Sequence, residues 1–311
     1  MRTLYPELLK AFHGRGFSTP VIGVTGGKGG VGKSSITASL GGILAERYAL
    51  LLADTDVDAP NLHLVLGARR DSFEEIAASE KAVIDDDKCA GCMLCAATCR
   101  FEAIIGDDKL IVAFYACEGC GACAIACPEK AIEIRHATNG RVNAYSTPLL
   151  HVIGGELYIG ESSSGRLVDI VKRTVRRKAE DIGVELILTD GPPGIGCPVI
   201  ASIKGAAFVL IVTEPSPAAL HDMARLLDVI GFFKVPAGLV LNKTGRQPRI
   251  ERVIQDFADD HGLPILGDIA YDIAMPLAIK MAQPVVTAFP DSPPALAIRA
   301  IADRLAEVIG S

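Results

Sequence analysis

The chain alternates short apolar runs with longer segments in which apolar residues recur at helical spacing. Apolar runs of the length of buried strands occupy residues 21–25, 50–53, 149–153, 157–159, 186–189, 208–213 and 238–241. Helical spacing occupies residues 34–47, 60–66, 164–182, 218–229, 250–261 and 295–309. Continuous apolar strands that alternate with helices predict an α/β domain, with a mostly parallel sheet covered by helices on both faces.

A cysteine-rich stretch interrupts this series. It opens with three acids at Asp85, Asp86 and Asp87, and the apolar α/β pattern resumes only after residue 145. Eight of the nine cysteines lie between Cys89 and Cys127. We therefore predict one domain in two parts, 1–84 and 146–311, with an inserted small α+β domain at 85–145.

Composition restricts the class of protein. Half of the 311 residues are hydrophobic, which is enough for a large core, and the formal net charge of −6 gives no basis for nucleic-acid binding. There is no run of about 18 apolar residues, so we predict no membrane span. Charged residues interrupt residues 1–20, unlike a signal peptide. These features predict a cytoplasmic protein.

A phosphate-binding motif follows the first predicted strand. Gly27 to Ser34 fit the pattern G-x-x-x-x-G-K-[ST] between a strand and a helix. Glycines let backbone N–H groups converge on phosphate oxygens, Lys33 would contact the β- and γ-phosphates, and the Ser34 hydroxyl would bind Mg²⁺. The predicted nucleotide-binding residues here are Gly27, Lys28, Gly29, Gly30, Val31, Gly32, Lys33, Ser34 and Ser35.

Polar residues also follow the later strands. Asp54, Asp56 and Asp58 follow the second strand, Asp190 ends another, and Pro215 and Asn242 follow two more. Ligands of open α/β sheets bind at the carboxyl ends of the strands, so these residues are further site candidates. A solvated acidic loop is an equally good interpretation of Asp58.

The cysteine spacing repeats. Both runs follow C-x₂-C-x₂-C-x₃-C, and the second continues into Pro128. This spacing is that of bacterial ferredoxins with two [4Fe–4S] clusters, in which the fourth cysteine of each run binds the other cluster. That resemblance implies one cluster on Cys89, Cys92, Cys95 and Cys127 and a second on Cys117, Cys120, Cys123 and Cys99. Two structural zinc ions are the alternative.

With Lys28 near its start, the phosphate loop resembles the deviant Walker A motif of the MinD, ParA and Mrp ATPases. In that superfamily the equivalent of Lys28 reaches a partner subunit's nucleotide, so the resemblance implies a homodimer or a heterodimer with a related ATPase. It further implies that Asp54 lies near the Mg²⁺ shell, Asp56 orients the attacking water and Asp190 is the Walker B aspartate. By the same resemblance, Asn242 would contact adenine and Pro215 would lie beside the nucleotide.

Both resemblances together indicate the members of this superfamily that carry an inserted ferredoxin domain. The implied function is ATP hydrolysis to ADP and phosphate, slow without a partner, coupled to electron transfer to a redox or iron–sulfur protein. The alternatives are an Mrp-type ATPase for iron–sulfur cluster assembly and a MinD/ParA-like positioning ATPase. Cys197, the ninth cysteine, is interpreted as a small buried residue, with transient metal docking as the alternative.

Overall fold

The computed structural model describes residues 19–107 and 109–310, so the prediction about a signal peptide at 1–20 lies almost wholly outside them. The strands are β1 Val21–Gly26, β2 Leu50–Asp54, β3 Arg69–Ile76, β4 Ser79–Ile84, β5 Ile104–Ile105, β6 Ile111–Val112, β7 Ile132–Ala137, β8 Gly140–Ser146, β9 His151–Leu157, β10 Leu186–Pro193, β11 Phe208–Thr213, β12 Ala237–Thr244 and β13 Ile265–Ala270. The helices are α1 Lys33–Leu44, α2 Leu62–Val65, α3 Leu94–Thr98, α4 Ala122–Ala126, α5 Ser164–Ile182, α6 Cys197–Ile203, α7 Pro217–Phe232, α8 Pro248–Asp260, α9 Ala274–Lys280, α10 Val285–Ala288 and α11 Pro293–Gly310.

Nine strands form one large sheet in the order β13-β12-β11-β1-β10-β2-β9-β8-β3. The strands from β13 to β9 run parallel, and β8 and β3 extend the sheet with antiparallel pairing. The two strands predicted at 149–153 and 157–159 are replaced by one strand, β9, because residues 151–157 pair continuously with β8 while residues 151–154 also pair with β2. The predicted mostly parallel sheet is thus confirmed.

Helices cover both faces of the parallel part. Along β2, Leu50 and Leu52 pack in one core with α1 and α11, whereas Leu51 and Ala53 pack in another with α5. A third core joins β11 and β12 to α7 and α8. Successive strand residues point to opposite faces, so a strand buried on both sides needs an unbroken apolar run. This is the α/β fold of P-loop NTPases.

A small unit with its own core spans residues 79–137. Its strands pair as β4 with β7 and β5 with β6, both antiparallel, and its core consists of cysteines and small aliphatic residues around α3 and α4. The predicted insert at 85–145 overlaps this unit but differs at both ends. Strand β4 precedes residue 85, and β8 belongs to the large sheet.

The small unit emerges from the antiparallel edge of the large sheet. Strand β3 ends at Ile76 opposite Gly140, the first residue of β8, so the chain leaves and re-enters the sheet at one point. Asn139 is fully buried there, where its side chain accepts from the Ala78 N–H and donates to the Ser162 carbonyl, both at 2.8 Å. Strand β3 was not predicted, because its residues are nearly all exposed and carry no apolar pattern.

No helix among residues 19–107 and 109–310 has the length and apolar character needed to cross a membrane.

Candidate functional site

Neighbouring parallel strands bring the predicted nucleotide site together. Strands β12, β11, β1, β10 and β2 are adjacent in the sheet, and the loops that follow them all leave its carboxyl edge. The phosphate loop, the aspartates after β2 and β10, and the polar residues after β11 and β12 therefore face one another. Ligands of open α/β sheets bind at such an edge.

The backbone of the phosphate loop requires glycine. Gly30 and Gly32 have φ of 78° and 98°, in the left-handed region that L side chains rarely adopt. A Cβ on Gly32 would lie 2.4 Å from Asn242 Nδ2. That same Nδ2 donates a 2.8 Å hydrogen bond to the Val31 carbonyl. Asn242 is buried, and this bond ties the loop to strand β12, which lies two strands away from β1 in the sheet.

The two lysines of the loop lie in different surroundings. Lys33 starts α1 and is only 6% exposed, with its charge acting on Asp56 and Asp190. Lys28 Nζ forms a 2.9 Å ion pair with Glu214 Oε1 of its own chain. The predicted contact of Lys28 with a partner subunit stays a prediction, since the structure contains one chain.

Glu214 also binds a third lysine. Lys243 Nζ lies 2.7 Å from Glu214 Oε2 and donates to the Gly30 carbonyl at 2.8 Å. Burial raises the pKa of Glu214, but hydrogen bonds from Lys243 and Lys28 outweigh it and hold that pKa below its ordinary value. Sequence patterns gave no role to Glu214 or Lys243, because their pairing depends on two strand ends meeting. Pro215 follows Glu214 directly and so lies in the same loop.

Asp190 and Asp54 are direct neighbours on β10 and β2, and both are almost fully buried. Asp190 Oδ1 accepts a 3.1 Å hydrogen bond from the Thr37 hydroxyl. Its other oxygen, Oδ2, is buried with no hydrogen-bond partner among the described residues. Burial raises the pKa of Asp190 to about 6, even though Ser34, Lys33 and Thr37 act in the opposite direction.

Asp54 has a different task. Its Oδ1 accepts from the Asp56 N–H at 3.1 Å, and its Oδ2 accepts from the N–H groups of Asn61 and Leu62 at 3.0 Å. The carboxylate therefore fixes the 55–61 loop. Burial and the negative charge of Asp190 raise the Asp54 pKa well above its ordinary value.

Asp56 lies between the buried acids and the loop surface. Burial and the charge of Asp190 raise its pKa to about 6, while Lys33 lowers it. Asp58 is more exposed, and burial alone raises its pKa. A carboxylate whose pKa approaches neutrality can accept or orient a proton at physiological pH, which favours Asp56 over Asp58 as the group that acts on water.

A cavity of about 290 Å³ adjoins the phosphate loop on the β12 side. Gly32 and Asn242 line it together with residues that the sequence patterns did not indicate, notably Tyr271 and Met275. Arg246 lies over the Tyr271 ring, 3.7 Å from its centroid. A partly apolar cavity with an aromatic wall beside a phosphate loop fits a nucleotide base.

The eight clustered cysteines line two separate cavities. The first cavity is lined by Cys89, Cys92, Cys95 and Cys127. The second cavity is lined by Cys99, Cys117, Cys120 and Cys123. Each set takes three cysteines from one run and the fourth from the other, the same division that the resemblance to bacterial ferredoxins implies for the cluster ligands.

Backbone N–H groups point at the sulfurs of both cavities. Ala131 N donates to Cys127 Sγ at 3.3 Å in the first cavity. In the second, Ala103 N donates to Cys99 Sγ and Ala82 N to Cys117 Sγ, both at 3.4 Å. Donors of this kind stabilise negative charge on thiolate sulfur.

Cys197 does not have the buried position expected for it. It is exposed at the first residue of α6, directly after the loop that follows Asp190. Its Cβ is packed against α5, 3.2 Å from where a Cβ on Gly165 would lie. Burial was expected because free cysteines commonly behave as small buried apolar residues, but in α6 the buried positions are Val199, Ala201, Ser202 and Ile203.

A family model for the CobQ/CobB/MinD/ParA nucleotide binding domain matches residues 22–285. The chain belongs to this family. An uncharacterized protein of Methanocaldococcus jannaschii is 33% identical over 255 residues, which cover 81% of this chain and 87% of that protein. A putative septum site-determining protein MinD of Chlorella vulgaris is 25% identical, covering 86% and 77%.

Solved structures of the CobQ/CobB/MinD/ParA family share the fold. The septum site-determining protein MinD of Pyrococcus horikoshii OT3, complexed with Mg-ADP, has a TM-score of 0.59 and 20% identity, and the match covers 92% of this chain and 96% of that chain. These similarities identify the nucleotide-binding part of the molecule. The interpretation of the cysteines rests on the two cavities described above.

Proposed function

We propose that this chain is a Mg·ATP-dependent ATPase that couples nucleotide state, through dimer formation, to electron transfer by two [4Fe–4S] clusters. The observation that carries the proposal is the division of eight cysteines between two cavities, each with three cysteines of one run and one of the other. We further propose that residues 79–137 are an inserted ferredoxin-type domain, and that the chain before and after them forms one ATPase domain.

ATP hydrolysis is the general chemistry of MinD/ParA family members, and the nucleotide site fits it. Lys33 would hold the β- and γ-phosphates, and Ser34 and Asp190 would hold Mg²⁺. The unpartnered, buried Oδ2 of Asp190 supports this assignment, because buried carboxylate oxygens are otherwise satisfied. The similarity to a MinD complexed with Mg-ADP supports the same ligands here. When bound, Mg²⁺ would neutralise phosphate charge.

The residues around Mg²⁺ would have separate roles. Asp56 would accept a hydrogen bond from the attacking water and hold its proton at a carboxylate oxygen. Asp54 would keep Asp56 in place through its bond to the Asp56 N–H. Asn242 would keep the phosphate loop open through Val31, and its cavity would receive the base.

When two chains form a dimer, Lys28 would leave Glu214 and contact the nucleotide of the partner subunit. Lys28 is about two-fifths exposed, so it is free to turn outward. Glu214 would not be left unpaired, because Lys243 binds its other oxygen. Removing one partner of a buried pair is costly unless the remaining charge is compensated, and here it is. The partner in this proposal is a second copy of this chain or a related ATPase.

Each cysteine cavity is lined by four cysteines, which is the number of protein ligands that a [4Fe–4S] cluster takes. A zinc ion can also take four cysteines, and the metal analysis described below distinguishes the two. When bound, each cluster would accept and release one electron. The chain's own residues would supply the thiolates, the N–H donors and the apolar surroundings.

A MinD-like positioning ATPase is the second candidate, favoured by the match to a putative MinD over 86% of this chain. An Mrp-type cluster carrier is the third, favoured by one exposed cysteine in each cavity, Cys92 and Cys120. A positioning ATPase has no use for the two cysteine cavities, which is why we rank it lower. A carrier would surrender iron and sulfide to an apo-protein, whereas an electron carrier would retain them.

The test is anaerobic purification followed by iron and sulfide analysis and electron paramagnetic resonance of the reduced protein, with and without Mg·ATP. Two interacting [4Fe–4S]⁺ signals that change with Mg·ATP are the expected result. The matched control is Cys197→Ser, which should leave iron content unchanged. Signals that do not change with Mg·ATP would contradict the proposed coupling of nucleotide state to electron transfer. Transfer of iron to an apo-acceptor would favour the cluster-carrier function. Zinc in place of iron would remove the ferredoxin assignment.

A further inference from the structure

Strand β4 of the small unit lies against the loop that lines the second cavity. A Cβ on Gly119, in the Cys117–Cys120 loop, would lie 2.2 Å from the Glu80 carbonyl oxygen, so strand and loop are in direct contact. Ala82 N donates to Cys117 Sγ, and Lys81 Nζ donates to the Cys117 carbonyl at 3.0 Å. A displacement of β4 would therefore be felt first at Cys117.

Lys81 is a buried charge at this contact. Its side chain is only 2% exposed, and Nζ also donates to the Phe114 carbonyl at 2.7 Å. Its counter-charge is Glu161, whose Oε2 lies 2.9 Å from Nζ. That oxygen has no aligned hydrogen bond, so the two side chains are held by charge attraction alone. Water screens such a pair weakly, so parting it would change the local field.

Glu161 belongs to the ATPase domain and stands just before α5. Helix α5 is hydrogen-bonded to the end of α6, where Lys172 Nζ donates to the carbonyls of Ala201, Ser202 and Lys204. Near its start, α5 packs on Cys197, the first residue of α6. Helix α6 follows Asp190 after one short loop. A shift of that loop would thus carry α6, α5 and Glu161 together.

We infer that Lys81 and Glu161 are positioning residues. Through them, the reduction potential of a cluster bound in the second cavity depends on whether nucleotide is bound. The inference rests on the proposed function, because it needs both ligands. With the pair closed, the two charges nearly cancel at the cavity. When Glu161 withdraws, the positive charge of Lys81 is uncompensated and stabilises the reduced, more negative state of the cysteine-bound centre. Its potential then rises, while the first cavity, which Lys81 does not touch, is unaffected.

The test is a redox titration of the anaerobic protein followed by electron paramagnetic resonance, with and without Mg·ATP, in four forms of the chain. Glu161→Gln leaves Lys81 uncompensated and should raise one of the two potentials. Lys81→Met leaves Glu161 uncompensated and should lower the same potential. The double variant restores neutrality and should return it close to the wild-type value. All three should lose the wild-type response to Mg·ATP.

The matched control is Asp86→Asn, which breaks an exposed ion pair with Lys109 in the same unit. Solvent screens that pair, so both potentials should stay at the wild-type values. If Lys81→Met does not fold, Glu161→Gln still decides the matter. As a second readout, hydrogen exchange of residues 79–84 should respond to Mg·ATP in the wild type and not in Glu161→Gln.

Two results would overturn the inference while leaving the proposed function intact. One is a Glu161→Gln protein with wild-type potentials and a wild-type response to Mg·ATP. The other is an equal shift of both clusters, since Lys81 contacts only the second cavity. A wild-type protein without iron would instead overturn the proposed function.

Discussion

Replacing Asp190 by Asn should stabilise the nucleotide-free protein and at the same time abolish its stabilisation by Mg·ATP. The carboxylate is buried beside Asp54, and its Oδ2 has no hydrogen-bond partner among the described residues. A charge in such a position destabilises the folded state unless a cation binds it. Asn keeps the shape of the side chain and removes its charge. The nucleotide-free protein therefore becomes more stable, while the site loses the carboxylate that would bind Mg²⁺.

The magnitude follows from the pKa of Asp190, which burial raises from 3.8 to about 6. A shift of roughly 2 units corresponds to about 3 kcal/mol of destabilisation at neutral pH. The Asn variant would lose about 1 kcal/mol of this gain in stability, because the hydrogen bond from Thr37 is weaker to a neutral acceptor. The variant should therefore gain about 1–2 kcal/mol, or about 2–6 °C in Tm.

The sign of the pH dependence follows from the same shift. The folded-state pKa of Asp190 is higher than the unfolded value, so the folded protein binds this proton more tightly. The destabilisation is absent below about pH 4, grows between about pH 4 and 6, and is constant above that range. The difference in stability between Asp190→Asn and wild type should follow this curve.

Thermal unfolding measures both effects. One series runs from pH 4 to 8 in buffer that contains a chelator, and a second series is measured with Mg·ATP in buffer without it. Asp268→Asn, on an exposed position of β13, is the control for losing one negative charge without relieving burial. A nucleotide-free Asp190→Asn protein that melts below wild type at pH 7 would refute the reasoning. So would one that Mg·ATP stabilises as strongly as wild type.

Three further outcomes are expected. Gly32→Ala should raise the Kd for ATP about tenfold or more in calorimetry, since positive φ costs about 1–2 kcal/mol and the new Cβ displaces Asn242. The control Gly231→Ala places its Cβ in open space and should leave the Kd unchanged, so equal Kd values for the two variants would contradict this. Asp56→Asn should bind ATP but hydrolyse it about 10²-fold or more slowly, and wild-type activity should fall below about pH 6 as Asp56 is protonated; unchanged phosphate release would exclude this role. Cys127→Ser should halve the bound iron and leave the second cavity's signal; full iron content would contradict the crossed ligand set.

Several parts of the site could be predicted because they depend on residues close in sequence. The phosphate loop between β1 and α1 is one, since its glycines, Lys33 and Ser34 lie on consecutive positions. The grouping of three cysteines within each run is another, because their spacing is short, whereas the fourth cysteine of each set came from the resemblance to ferredoxins. The central strands were recognised from their apolar runs, which a sheet covered on both faces requires.

Other parts could not be predicted, because they depend on contacts between distant segments. Lys28 pairs with Glu214 across 186 positions of the chain, and Lys243 pairs with the other oxygen of the same carboxylate, through strand ends that only the sheet order brings together. Strand β3 carries no apolar alternation, so its pairing with β8 had no signal in the sequence. Asp54 was expected near Mg²⁺, and its bonds to three backbone N–H groups were not foreseen.

The sequence by itself determined the chemistry of this protein: a phosphate loop, acids at strand ends and two cysteine runs, each defined by local spacing. The tertiary structure decided how those parts are connected. It placed the small unit at the end of β3 and β8, and it put Lys81 of that unit against Glu161, which stands just before α5. A lysine and a glutamate 80 residues apart have no common pattern in sequence, and their charges meet only because folding brings the buried Lys81 against the half-buried Glu161.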